Sequence, residues 1–131
     1  MKVYFPGGKK VYMDTGKFII ETGQNKNDGG EESAPEPFTL FLASIGTCAG
    51  IYIKKFCDIR NIPTNQIDLH QSIEYDQVAR RINAVKLKID LPEDFPEKYK
   101  NAIIKAADQC AVKKYLQEPF EVKIETKYDG E

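Results

Sequence analysis

Tryptophan is absent from this 131-residue chain, histidine occurs once, at His70, and the three cysteines, Cys48, Cys57 and Cys110, include no C-x-x-C pair. That set is too poor in ligands for a zinc site, and it does not read as a secreted disulfide framework. An excess of charge is also missing. Nineteen basic residues face twenty acidic ones, a net charge of -1, which gives no field for nucleic acid. Neither DNA nor RNA is an expected partner. No repeat or low-complexity tract divides the chain, and no basic and apolar segment opens it as a signal peptide would. The stretch Phe38 to Ile53, within the longest uncharged run, has sixteen residues, roughly 24 Å of helix, whereas a membrane span needs about 20 apolar residues. The expectation is a soluble, cytoplasmic protein of one domain (1-131) with no membrane, metal or cofactor partner.

What is present is a hydrophobic content of 41%, enough for a core. The run FTLFLASIGTCAGIYI is punctuated by Ser33, Pro35 and Pro37 before it and by Asp58, Asn61 and Pro63 after it, which predicts a central helix over 37-58. Being apolar all round, it is expected to be buried all round. Before it, short β-type runs at Val3 to Phe5, Lys10 to Met13 and Phe18 to Glu21, separated by glycine-containing turns, predict a strand meander over 1-22. Residues 23-36, rich in Gly and Asn from Gly23 to Ala34, predict a mobile loop, placed where it could act as a lid. After the helix, Ile67, Leu69, Ile73 and Tyr75, then Val85, Leu87, Ile89 and Leu91, alternate with polar residues and predict a hairpin over 65-91. A second helix is expected over 97-115. Its face of Tyr99, Ala102, Ile103, Ala106, Ala107 and Cys110 points the last of these inward. Phe120, Val122 and Ile124 predict a final strand over 119-127. Strand groups around two helices, without βαβ alternation, give an α+β fold.

A helix as apolar as 38-53 is hard to cover on every side within one small chain, and a dimer that packs two of them together would do it. Gly46 and Gly50, flanked by Ala43, Thr47 and Ala49, form a small-residue strip. It serves either a second helix backbone at close approach or ordinary packing inside one subunit.

The run Pro37-Phe-Thr-Leu-Phe-Leu-Ala-Ser-Ile-Gly-Thr-Cys48, followed by Ala106-Ala-Asp-Gln-Cys110-Ala-Val, resembles the OsmC/Ohr family of hydroperoxide-reducing proteins. The order of elements is similar over nearly the whole chain. The resemblance implies an intertwined homodimer with two central helices inside and antiparallel sheets outside. It implies an organic hydroperoxide substrate, an attacking cysteine at Cys48, a resolving cysteine at Cys110 and an external dithiol reductant. The chemistry suits such a pair, because a thiolate attacks a peroxide oxygen to become a sulfenic acid, which a second thiol traps as a disulfide before over-oxidation. Phe41, Ile45, Ile51 and Tyr52, at helical spacing from Cys48, suit an organic peroxide better than hydrogen peroxide.

One part of the family pattern is missing. Its hydroperoxide reductases hold the thiolate with an arginine from the N-terminal loop and a glutamate at the helix start. Here no arginine precedes Arg60, and Phe38 and Thr39 stand ten and nine residues before Cys48. This places the chain nearer a divergent branch. Candidate replacements are Arg80 and Arg81 at the hairpin tip, which in an intertwined dimer could approach the other subunit's cysteine, and Lys9, Lys10 and Lys17 on the meander, although all five read more simply as solvated surface charges; Glu36 either orients a cation or is a favourable charge near a helix N-terminus. Cys57, nine residues after Cys48 and so roughly 13 Å along the axis, reads as a buried hydrophobe out of disulfide reach, and His70 as exposed. Two functions are therefore carried forward. One is a thiol peroxidase acting in oxidative stress defence; the other is a non-catalytic member that binds a small apolar or thiol-bearing ligand in the dimer cavity.

Overall fold

A computed structural model describes residues 1-128. Three strands come first: β1 (Lys2–Gly7), β2 (Lys10–Asp14) and β3 (Ile19–Thr22), antiparallel in the order β1-β2-β3. Tyr4 pairs with Tyr12 across the first ladder, and their rings meet edge to face at 5.8 Å. The β2–β3 turn is built by Asp14, whose Oδ1 accepts Gly16 N–H at 2.7 Å, and by Thr15, whose Oγ1 accepts Phe18 N–H at 2.9 Å. Then comes α1 (Pro37–Ile59), followed by the β4 (Asp68–Asp76) and β5 (Arg81–Asp90) hairpin, α2 (Lys100–Ala107) and α3 (Ala111–Gln117). The architecture is the expected α+β one. The chain divides into two compact units, 1-45 and 46 onward, with the division inside α1.

Residues 23-36 hold a defined backbone shape. Gly23 N–H bonds Pro35 O at 3.0 Å, Glu32 N–H bonds Gln24 O at 3.0 Å, and Asn25 caps a short 3₁₀ turn over 26-28. Glu36 Oε1 accepts Asn25 N–H at 3.2 Å. The turn closes on Gly30, where a Cβ would stand 2.1 Å from the Gln24 carbonyl oxygen. The segment reads as unstructured because it has nothing apolar to bury; its order comes from backbone and Asx hydrogen bonds, which leave no periodicity.

α1 has 23 residues, about 34 Å, so the expectation of a helix too short to cross a membrane does not hold. By length and composition alone it is long enough. Its C-terminal half instead builds a core of the second unit, where Ile53, Phe56 and Cys57 pack with Phe95 and Ile103. Ile62, Leu69, Ile89 and Leu91 close round them. The helix stops in a Schellman arrangement: Asn61 turns left-handed at φ 54, and Ile62 N–H reaches back to Cys57 O at 2.9 Å. The helix is not buried all round, since Phe38, Phe41 and Ile51 are 56%, 41% and 47% exposed. The strip of small residues is used within the chain. Gly46 faces Gln71 of β4, where a Cβ would come within 2.7 Å of Oε1, and Gly50 faces Leu69.

β4 and β5 pair with Leu69 opposite Ile89 and Ile73 opposite Val85, as their alternation predicts. Asp76 Oδ1 accepts the N–H groups of Val78 and Ala79, both at 2.9 Å, which holds the hairpin tip and lowers the Asp76 carboxyl pKa.

Two expectations are corrected here. The single helix over 97-115 is a 3₁₀ turn at 97-99 followed by two helices, and Cys110 stands in the break between them. It has φ -50 and ψ 122 and belongs to no helix face. Apolar spacing carried straight through the break because no glycine or proline marks it; Gln109 and Cys110 end α2 with 3₁₀-type N–H bonds to Ala106 O and Ala107 O instead. The strand expected over 119-127 is also absent. Its alternation is intact, but no strand lies beside it among the described residues, and a strand without a ladder partner does not form.

A candidate dithiol site

The two cysteines are brought together from different elements of the second unit. Cys48 lies on α1 and is half-buried; Cys110 lies between α2 and α3 and is 2% exposed. The two thiols act on each other, a hydrogen bond between them lowering the Cys48 pKa and raising that of Cys110. The Cys110 sulfur also accepts Lys113 N–H at 3.4 Å, so Cys110 is the N-cap of α3. Its carbonyl takes Lys114 N–H at 3.1 Å, the first helical bond of α3.

The first N–H groups of a helix have no acceptor inside it. At α3 those of Val112 and Ala111 lower the Cys48 pKa by hydrogen bonding. The Val112 amide is the largest influence on the Cys48 thiol and lowers its pKa; partial burial opposes it, and the Cys110 thiol, the Ala111 amide and the positive charge of Lys55 add to the lowering. Cys110 is shifted the other way. Burial pushes its thiol up, the neighbouring Cys48 adds to that, and the Lys113 amide works against it. The pair is thus split into one sulfur disposed to ionise and one disposed to keep its proton, the electrostatic division of labour a nucleophile and a proton-bearing partner need.

Cys57 is fully buried in the core, and burial with the Asp58 charge raises its thiol, which fits a structural role. Within this chain, none of the candidate replacements is among the groups that shift the Cys48 thiol. Arg80 sits at the hairpin tip with φ 53, Arg81 opens β5, and both are exposed. Arg60 stacks over Phe56 at 3.7 Å and donates to Phe56 O at 3.0 Å. Glu36 holds the loop through Asn25. Lys17 lies over Phe18, while Lys9 and Lys10 border a cavity of about 280 Å³ in the first unit with Gln24, Glu31 and Ser33; no cysteine lines it. His70 is exposed and 3.1 Å from Asp90. Along α1, Ile45 next to Cys48 is buried and Tyr52 half-buried, but Phe41 and Ile51 are open.

Sequence reasoning missed the groups that act on the thiol. Backbone amides carry no residue signature. Lys55 did have one: seven residues after Cys48, it lies two turns along the same helix face.

A family model for OsmC-like proteins matches residues 29–125. No curated protein matches the sequence. Among solved structures, an osmotic stress and detoxification response protein of Psychrobacter arcticus is 19% identical with a TM-score of 0.67, over 86% of this chain and 84% of that one. The organic hydroperoxide resistance protein OsmC of Legionella pneumophila is 18% identical with a TM-score of 0.53, over 88% and 86%. The organic hydroperoxide resistance protein OhrB of Bacillus subtilis is 22% identical with a TM-score of 0.54, over 96% of both chains. At these identities the structures establish a common fold.

Proposed function

This chain belongs to the OsmC-like protein family, and from that premise we propose that it is a thiol-dependent organic hydroperoxide reductase of oxidative stress defence. Cys48 is the attacking cysteine and Cys110 the resolving one. The observation that carries this reading is the split pair: a half-buried thiol with a lowered pKa bonded to a buried thiol with a raised one.

The Cys48 thiolate attacks the terminal oxygen of ROOH. An S–O bond forms, the O–O bond breaks, and the alkoxide leaves as ROH after taking a proton, leaving Cys48 as a sulfenic acid. The Cys110 sulfur then attacks the Cys48 sulfur, an S–S bond forms, and water leaves. An external dithiol reduces the disulfide by two successive exchanges and leaves as a cyclic or linear disulfide. In total, ROOH and a dithiol give ROH, water and a disulfide. Three free cysteines fit work in a reducing, cytoplasmic compartment.

The working form is a homodimer. The open faces of Phe38, Phe41 and Ile51 on α1, and of Phe120, Val122 and Ile124 on the unpaired final segment, are apolar surfaces that a second copy would cover. Catalysis is tested by steady-state consumption of cumene hydroperoxide with a dithiol reductant, and assembly by sedimentation of the wild type and Phe41→Asp. Turnover that vanishes in Cys48→Ser, in a dimer that Phe41→Asp splits, supports the reading. A dimer with no turnover returns the protein to the ligand-binding alternative.

A further inference from the structure

Lys54, Lys88, Lys100 and Lys113 each pair with a carboxylate, whereas among the described residues Lys9 and Lys10 have no such partner. Both line the cavity of about 280 Å³ in the first unit, where the β1–β2 turn faces the loop that follows β3. Gln24, Glu31 and Ser33 supply its other polar side chains, and none of these is hydrogen-bonded within the described chain either. The loop is held without them: Glu32 N–H bonds Gln24 O at 3.0 Å, Gly30 N–H bonds Asn25 O at 2.9 Å, and Glu32 Oε1 accepts Lys26 N–H at 3.1 Å. Gly29, left-handed at φ 84, lets the Lys9 chain pass close by; a Cβ there would stand 3.7 Å from Lys9 Cε. Gly23 is buried and Lys10 and Gln24 are half-buried, while Lys9, Glu31 and Ser33 are exposed, so the cavity has an inner end and a mouth.

A concave surface with two ammonium groups against one carboxylate focuses a positive field, and ammonium groups without a counter-charge form their strongest bonds with an anion. The Gln24 amide and the Ser33 hydroxyl are further donors, of the kind that fix a ligand's orientation. At about 280 Å³ the space lies at the lower end of the range for ligand cavities, which selects a small occupant. No cysteine lines it, so the thiol chemistry has no part in it.

We propose that this cavity binds a small dianion, a phosphate group or a short dicarboxylate, held by Lys9 and Lys10 with Gln24 and Ser33 as donors. Glu31, at the mouth, opposes the ligand's charge and keeps the affinity modest. The site is independent of the peroxidase reading and stands or falls without it.

The test is amide chemical-shift titration of the full chain with inorganic phosphate and, separately, with succinate. Saturable shifts are expected at Gly8, Lys10, Gln24, Gly29 and Glu31, with a Kd of about 1 mM or tighter for at least one probe. The tighter probe tells a phosphate site from a dicarboxylate site. Lys10→Gln is expected to weaken binding about tenfold, the loss of one bond to a charged group. Lys17→Gln removes the same charge from a lysine that lies over Phe18 outside the cavity, and should leave binding unchanged. Glu31→Gln should tighten it by a few-fold, a change that damage to the loop would not produce. Should Lys10→Gln, within β2, not stay folded, Lys9→Gln in the exposed turn makes the same test. No saturation with either probe, or equal weakening by Lys10→Gln and Lys17→Gln, would overturn the proposal.

Discussion

Cys110 accepts Lys113 N–H on its sulfur at 3.4 Å, at the place where α2 has ended and α3 has not yet begun, and its thiol and that of Cys48 shift each other in opposite directions. That placement joins a secondary-structure event to the ionisation of a thiol. A helix break frees backbone N–H groups, a buried cysteine caps that of Lys113, and those of Val112 and Ala111 lower the Cys48 pKa.

The three thiols should separate in reactivity. The Cys48 pKa is lowered from the free thiol value of about 8.5, and those of Cys57 and Cys110 are raised. Near neutral pH iodoacetamide should label Cys48 first, and Cys57 only as the protein unfolds. The linkage signs differ as well. Cys48 contributes stability that is present above its unfolded pKa and is lost as pH falls through its folded one; Cys57 and Cys110 contribute stability present below their unfolded pKa and lost as pH rises through their folded ones. Denaturation across the alkaline range should therefore show stability falling above about pH 8.5, and less steeply in Cys57→Ala. Equal labelling of all three thiols in native protein would contradict this.

Two glycine substitutions should go in opposite directions. In Gly30→Ala the new methyl group meets the Gln24 backbone oxygen at 2.1 Å, so the loop must open, at a cost of ~1 to 3 kcal/mol. In Gly50→Ala it meets only Leu69 Cδ2 at 4.0 Å, and the helix gains ~0.5 to 1 kcal/mol from alanine. Urea unfolding of both variants measures the difference.

Arg60→Lys should be a stability change alone. It removes a guanidinium stacked on Phe56 and its bond to Phe56 O, costing ~1 kcal/mol, and leaves the Cys48 titration where it was. A thermal melt alongside the alkylation profile checks both halves.

The legible parts of this molecule were those with periodicity or punctuation. The meander was marked by its glycine turns, the hairpin by the alternation of Leu69, Ile73, Val85, Leu87 and Ile89, and α1 by its prolines and Asn61. Cys48 and Cys110 came as a pair from the family resemblance, and the structure sets them side by side. The α2–α3 break was not legible, because Gln109 and Cys110 end a helix by hydrogen bonding without altering apolar spacing. The folded loop over 23-36 was hidden for the same reason. The final segment failed in the opposite sense: Phe120, Val122 and Ile124 carry a strand pattern, but the pattern specifies a face and not the neighbour it must pair with.

The most direct test is intact mass, free-thiol count and disulfide mapping after brief treatment of the reduced protein with one equivalent of cumene hydroperoxide. The account predicts the loss of two thiols as a Cys48–Cys110 disulfide with Cys57 still free, and a sulfenic acid at Cys48 in Cys110→Ser. Survival of all three thiols would contradict it and leave the cysteines as structural residues of a ligand-binding protein.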